Sequence, residues 1–544
     1  MKLQKKYRKY FIIITFFTFT INSLAQTPTL GTRHYDTTTS EGYMLFTPEK
    51  NQNVYLINNC GEKVNEWTFS ERPGLTCYIL ENGDLMRVSR GIGIEIRDWD
   101  NNIVWSFSFS DLGMTQHHDI EPLPNGNILC LMRDNYTKDE IIAQGKNPDQ
   151  VGDLFKLDSI IEIEPVGANS ANIVWEWKFI DHFIQDFDSE KPNFGVVVEH
   201  PELIDLNFFD AGVNDLNTDF THGNAIDYNA SLDQIIISAR HLSEIYIIDH
   251  STTTAEASSH LGGTSGLGGD FLWRWGNPQV YKQGDGTDQK LFLQHDSKWV
   301  EDGYLDEGKI SVFNNGGDGT STFSSVHLIT PEIVNDVYLK ESNKFKPLNF
   351  EWSWDGGFFG YTIYEGKKSG GHSLPNGNFI ICETSTGQVS EITKSGDHLW
   401  SYRNPTGTDG IVYDQFDNDI FDNTIFRGEK YPIDYIGFTG KNLVPQGIIE
   451  NENLISINCN TSLSIIDDDM LYFNIINPVD QNSGIVFNKI VELDYISVFD
   501  LNGRVIYEEE NFEGSSLNLN LRSSLYIVKF QRDKSIGYRK ILVK

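Results

Sequence analysis

Three histidines stand at one register of a repeating phrase. In Gln116-His117-His118-Asp119-Ile120-Glu121-Pro122-Leu123-Pro124-Asn125-Gly126, His118 lies seven residues before the turn residue Asn125; His222 stands seven before Asn229, and His295 seven before Asp302 of Asp302-Gly303. A neutral imidazole is both a nucleophile and a proton carrier near neutral pH, so three brought to one place could form a covalent intermediate and move protons around it. Arg240 closes the apolar run Gln234–Ala239, and its planar guanidinium suits the oxygens of a tetrahedral anion. Against Pro375-Asn376-Gly377 the corresponding position is Ser369, while His372 aligns instead with Glu121, which makes His372 a further candidate for lining the same channel. The chain has no G-x-x-x-x-G-K-[ST] loop to cradle a nucleotide's phosphates, so no nucleotide-borne donor and no cofactor is expected. Three imidazoles could also complete a zinc or manganese face, as in a metal-dependent lyase or hydrolase. A guanidinium beside a dication is unfavourable, however, and no metal is expected.

Such a cluster needs elements that repeat in sequence and converge in space. Asn-Gly between apolar segments is a hairpin signal, and it recurs in Glu81-Asn82-Gly83-Asp84-Leu85, Pro124-Asn125-Gly126-Asn127-Ile128 and Pro375-Asn376-Gly377-Asn378-Phe379. A second phrase places tryptophan at the close of each unit: Trp67, Trp105, Trp175 with Trp177, Trp273 with Trp275, Trp352 with Trp354, and Trp400. Six closings at blade-length intervals predict an all-β chain with a six-bladed β-propeller over residues 26–445. In that fold the first strand of each blade lines the central channel, so His118, His222 and His295 should meet there. Two stacked β-sandwiches are the alternative, without a reason for such a repeat. A non-catalytic binding propeller or surface adhesin would have no need of the histidine register.

Composition narrows the partners. With 43 Lys and Arg against 77 Asp and Glu, the formal charge of -34 repels nucleic acid and anionic membrane, so an anionic substrate requires a local cationic site. Residues 1–25 read as a secretory signal: a basic start, the apolar run Tyr10–Ile21, and Ser23-Leu24-Ala25 as the cleavage site. Its loss removes five basic residues and takes the charge to -39. No later segment is apolar enough for a stable membrane span, and a secreted or cell-surface protein exported through the periplasm is expected. Of the five cysteines, Cys130 and Cys382 read as buried thiols and Cys60 with Cys77 as the first disulfide pair to test. Residues 446–467 read as a linker. After it, 468–544 read as a small C-terminal β-sandwich with strands at Leu471–Ile476, Tyr495–Phe499, Arg504–Glu508 and Leu525–Phe530.

The phrases Phe220-Thr221-His222-Gly223-Asn224-Ala225-Ile226-Asp227-Tyr228, Ile235-Ile236-Ile237-Ser238-Ala239-Arg240 and Gln294-His295-Asp296 resemble the bacterial arylsulfate sulfotransferases. These are six-bladed propeller enzymes that pass a sulfuryl group from a phenolic sulfate ester to a phenolic acceptor. The resemblance implies that His295 is the nucleophile that becomes transiently sulfated. It also implies that His118, His222, Asn224 and Arg240 hold the sulfuryl oxygens or move protons. Residues 468–544, through Ile496-Ser497-Val498-Phe499-Asp500-Leu501-Asn502-Gly503-Arg504 and the terminal Arg539-Lys540-Ile541-Leu542-Val543-Lys544, resemble the C-terminal sorting domain of the Bacteroidetes type IX secretion system. That resemblance implies the type IX secretion machinery as a partner.

Overall fold

The computed structural model describes residues 28–451 and 484–543, apart from short stretches at 91–92, 209–218, 501–503, 520 and 533–534. The expected signal, most of the linker and the expected strand Leu471–Ile476 lie outside the described residues. The chain is all-β with few short helices. Six antiparallel sheets follow one another between residues 31 and 432. Their inner strands are Ile425–Pro432, Pro73–Ile79, Thr115–Pro122, Gly223–Asn229, His295–Trp299 and Gly370–Ser373 for the first to the sixth sheet. Each inner strand packs on the inner strand of the next sheet, and the sixth returns to the first, giving a propeller-like ring.

The two ends of this region interlock. Gly31–Tyr35 adds to the outer edge of the sixth sheet, pairing with His398–Arg403. Ile425–Pro432 enters the first sheet as its inner strand, pairing with Gly42–Pro48. The first sheet therefore takes its channel-lining strand from the far end of the ring, whereas the other five begin with theirs.

The Asn-Gly phrases form the hairpins they predict. In each, the glycine donates its N–H to the leucine three residues earlier: Gly83 to Leu80, Gly126 to Leu123 and Gly377 to Leu374, at 2.8–2.9 Å. These glycines have φ of 81–87°, the left-handed conformation that closes a three-residue hairpin loop at no steric cost to glycine.

The tryptophans lie on the fourth strand of each sheet and explain their own recurrence. Trp67 donates its indole N–H to the carbonyl of Asp98, Trp105 to Ser170, Trp177 to Gly269, Trp273 to Lys346, Trp352 to Lys394 and Trp400 to Asn59. Every acceptor lies in the stretch of chain that builds the following sheet, on a strand or a connection between its strands, and the sixth donates back to the first. The body of each ring fills an inter-sheet core cluster, and Trp67, Trp177, Trp273 and Trp400 are fully buried. Burial of a side chain of this size is worth a few kcal/mol, and the N–H keeps its partner, so nothing polar is stranded.

Cys77, Cys130 and Cys382 are buried thiols. Burial pushes the Cys77 thiol up to about 12, and the Cys60–Cys77 disulfide is not formed. The C-terminal residues form one four-stranded antiparallel sheet, Ile485–Phe499, Val505–Leu517, Ser524–Arg532 and Ser535–Val543, with its own apolar cluster around Ile496, Val528 and Ile541.

Candidate functional site

The histidines stand where the inner strands of the third, fourth and fifth sheets enter the channel, and the backbone there is irregular. His118 (φ 61°), His222 (φ 48°) and Asp296 (φ 51°) adopt left-handed conformations, at or beside breaks in the strand register. Non-glycine residues in this region cost energy and persist only where their surroundings hold them. Asp158 supplies part of that hold. Its carboxylate accepts from His117 Nδ1 (2.6 Å), from the Thr221 hydroxyl (2.6 Å) and from the Gly223 N–H (2.5 Å), clamping the entries of two neighbouring inner strands together.

The clamp brings the imidazoles into contact. Ring centroids lie 4.2 Å apart for His117 and His118, 5.1 Å for His117 and His222, 5.1 Å for His118 and His222, and 4.4 Å for His222 and His241. Phe426, on the closing strand, stacks on His118 at 6.1 Å. Burial, then His117 and His222, hold the His118 imidazole well below its ordinary range, so it is neutral; its Nδ1 is buried and, among the described residues, unpartnered. His222 Nδ1 faces Asp219 Oδ2 at 2.7 Å, which leaves Nε2 to give or take a proton. Burial alone would raise the Asp219 carboxyl, but His222, Arg133 and His241 outweigh it and hold the group ionised.

Arg133 links two acid–imidazole pairs, donating to His117 Nε2 at 2.5 Å and to both Asp219 oxygens at 3.2 Å. Because the guanidinium can only donate, His117 Nε2 is the acceptor and its proton sits on Nδ1, toward Asp158. His117, His118 and His222 present ring nitrogens within 4.8 Å of one another, close enough to hold one cation. Both His117 nitrogens are committed to Asp158 and Arg133, so a metal there would displace a guanidinium.

His295 is 2% exposed, and its tautomer is fixed by geometry. The Asn315 amide donates from Nδ2 to the carbonyls of Glu365 (2.7 Å) and Lys368 (2.8 Å), which leaves Oδ1 to accept. His295 Nδ1, 2.8 Å from that oxygen, is therefore the protonated nitrogen, and Nε2 carries the lone pair. The Lys368 N–H caps that lone pair at 3.1 Å. Burial first and then the Arg240 charge hold His295 well below its usual pKa, so the ring stays neutral and nucleophilic. Arg240 donates from Nη2 to the Gly366 carbonyl at 3.3 Å, and its Nε is buried without a partner among the described residues. One segment, Glu365–Ser369, thus covers both the nucleophile and the guanidinium. The Lys368 ammonium straps it to Glu49 at 2.5 Å.

Asn224 is fully buried and donates to the Gln294 carbonyl at 2.7 Å, supporting the backbone next to His295; its Oδ1 has no partner among the described residues. His372 does not join the other histidines. It lies deeper along the channel, with Nδ1 3.3 Å from Asp296 and Nε2 3.6 Å from Glu429, at the level of Glu121 as its register implies. Between the two levels Arg427 is held by two carboxylates, with Nη1 2.8 Å from Asp296 and Nη2 2.5 Å from Asp119. His117, Arg133, Asp158, Asp219, Asn315 and Arg427 were not singled out from sequence.

A neutral imidazole whose lone pair meets only a backbone N–H, within electrostatic reach of a guanidinium and of His222, is equipped to receive a tetrahedral anion and pass it on. The arylsulfotransferase (ASST) family model matches residues 36–327, more than half of the chain. The chain belongs to the arylsulfotransferase family. Membership carries arylsulfotransferase activity in general and phenolic substrates with it. No curated protein matches the chain. Solved structures similar to the chain include a protein of unknown function from Bacteroides caccae, with 12% identity over 67% of this chain and 94% of that one and a TM-score of 0.36. A streptogramin B lyase has 10% identity over 69% and 82%, with a TM-score of 0.32. A catalytically inactive virginiamycin B lyase from Staphylococcus aureus with quinupristin has 10% identity over 68% and 87%, with a TM-score of 0.30. No helix among the described residues is long and apolar enough to cross a membrane.

Proposed function

We propose that this arylsulfotransferase moves a sulfuryl group from a phenolic sulfate ester to a phenolic acceptor through a sulfohistidine on His295, without a nucleotide sulfate. The observation that carries the reading is the locked tautomer of His295, with Nδ1–H on Asn315 and the Nε2 lone pair beside Arg240. In the first step Nε2 attacks sulfur, the N–S bond forms and the S–O bond to the aryl group breaks. The departing phenolate takes a proton from His222 Nε2. In the second step the acceptor phenol gives its proton to His222 as its oxygen attacks sulfur, the N–S bond breaks, and the enzyme is restored. Asp219 orients the His222 ring through Nδ1, while Arg240 and neutral His118 donate to sulfuryl oxygens. The cap on Nε2 means that the Glu365–Ser369 segment must yield before donor binds, and the Lys368 N–H is then near enough to serve the incoming oxygens.

Incubating the enzyme with a chromogenic aryl sulfate and no acceptor tests this. The peptide holding Gln294-His295-Asp296 should gain the mass of one SO3. His295→Ala should abolish the label, whereas His118→Ala and His222→Ala should slow turnover and still trap it. Label on the His222 peptide in the His295→Ala variant overturns the assignment. We further propose export by the N-terminal signal and surface delivery by the type IX machinery through the C-terminal sheet. Loss of surface signal on deletion of residues 468–544 tests that placement.

A further inference from the structure

The C-terminal ends of the inner strands, beyond the Asp119–Arg427–Asp296 contact, enclose a cavity of about 690 Å³. At roughly 3.3 Å per residue, Glu121 lies about 10 Å along its strand from His118, so this space is separate from the histidine cluster. Its volume is in the range of small-molecule sites. Its walls are aromatic: Tyr228, Trp299, Tyr304 and Tyr435 all border it. Its polar groups are unbalanced. Lys298, 2.7 Å from Glu429, is the ammonium that also faces Glu121, Asp227 and Glu301; Lys430 is taken by Glu391 at 2.6 Å and His372 lies between Asp296 and Glu429, so carboxyl groups outnumber the cations that line the cavity. Asp227 accepts the Trp299 N–H at 2.7 Å, and among the described residues the Glu121 carboxyl receives no hydrogen bond. Burial first, followed by Asp227, pushes the Glu121 carboxyl well up, and burial takes Asp227 to about 7.

We propose that this cavity is a second ligand site, for an organic cation: a protonated amine or guanidinium carried on an apolar body. Aromatic faces attract a cation and cover its apolar frame, while the surplus carboxylates supply the countercharge. A bare metal ion fits less well. Among the described residues no three of these carboxylates bring oxygens within 4.8 Å of one another, so they ring a space rather than converge on a point. The net charge of -34 raises the local concentration of any cation.

Titration calorimetry of the full enzyme with agmatine, without any sulfate ester, tests the site independently of the sulfuryl-transfer reading. Saturable one-site binding is expected, with proton release. Binding should be tighter at pH 8 than at pH 6, because a cation favours the ionised form of carboxyls that burial holds protonated. Asp227→Asn keeps an acceptor for the Trp299 N–H, and with Glu121→Gln it should weaken binding by about tenfold or more, each removed charge being worth on the order of one pKa unit. Glu301→Gln serves as a second variant, and sulfohistidine labelling should be unchanged in all of them. Absence of saturable heat up to millimolar agmatine overturns the proposal. So does equal binding by the variants, or calcium chloride binding at this site with the same variant sensitivity and displacing agmatine.

Discussion

Replacing Asn315 with leucine removes the tautomer lock on His295. The two side chains are close in volume, so packing is retained, while the acceptor for Nδ1–H is lost together with the donations to Glu365 and Lys368. In the resting enzyme the His295–Asn315 contact joins two neutral groups, worth about 0.5–1.5 kcal/mol. Once sulfur bonds to Nε2 the ring is cationic with its proton still on Nδ1. The same contact then becomes charge-assisted, worth about 1.5–3 kcal/mol. The difference, on the order of 1–2 kcal/mol, is felt in the transition state and not in the ground state, so kcat/KM for the donor should fall by about 5- to 30-fold. Single-turnover sulfation with a chromogenic aryl sulfate reads the step directly, and the second step should be much less affected because it starts from the charged ring. Circular dichroism and thermal melting check the fold. A sulfation rate within twofold of wild type in folded protein refutes the lock; a defect confined to acceptor transfer refutes the direction of the argument.

Arg240→Ala should lower kcat/KM by about 2–4 kcal/mol of transition-state stabilisation, read with saturating acceptor, whereas a loss under about 0.5 kcal/mol gives Arg240 a structural role. Arg427→Met leaves Asp119 and Asp296 buried without their common partner and should cost about 3–5 kcal/mol in denaturant unfolding. His250 faces Asp233 at 2.8 Å and Glu162 at 3.0 Å; burial lowers its pKa, but the two carboxylates outweigh burial and raise it. Its contribution is thus complete below its unfolded pKa near 6.5 and is lost as pH rises through the raised folded value, so the melting-temperature gap between wild type and His250→Gln should shrink from pH 6 to pH 9. Lys368→Ala releases the strap to Glu49, a partly buried pair worth about 0.5–1 kcal/mol, and should speed single-turnover sulfation by about 2- to 5-fold; an unchanged or slower rate contradicts the cap.

The tryptophan closings and Asn-Gly turns made the sheets legible because each reports a local necessity: a buried indole with its N–H satisfied, and a left-handed glycine in a tight loop. His118, His222 and His295 were legible because three inner strands enter the channel in the same way. The first sheet was less so, since Ile425–Pro432 reaches it from the far end of the ring and carries no turn phrase, which hid Arg427. A signal for two further residues lay unused. Arg240 follows the second strand of the fourth sheet, Gln234–Ala239; Arg133 falls at the matching point of the third, after Ile128–Met132, and Asn315 follows Ile310–Asn314 of the fifth. Once one polar residue ending the apolar run of a second strand reaches the histidines, the repeat directs attention to the others. Asp158 lies on a strand that pairs with Ile128–Thr137, and no pattern in its own neighbourhood marks it.

The tryptophan hydrogen bonds run from each sheet to the next and return to the start, so the ring has no terminal repeat. An open solenoid can fray from its ends, each unit depending on one neighbour; here every sheet depends on two, and detaching any one breaks the circuit twice. The first and sixth sheets are moreover completed by strands from opposite ends of the region. Assembly is therefore expected to be all-or-none, with the last-made strand of the ring, Ile425–Pro432, bringing Phe426 against His118 and Arg427 between Asp119 and Asp296 in the same event. A nascent chain released before that strand would hold all three histidines and still lack the site.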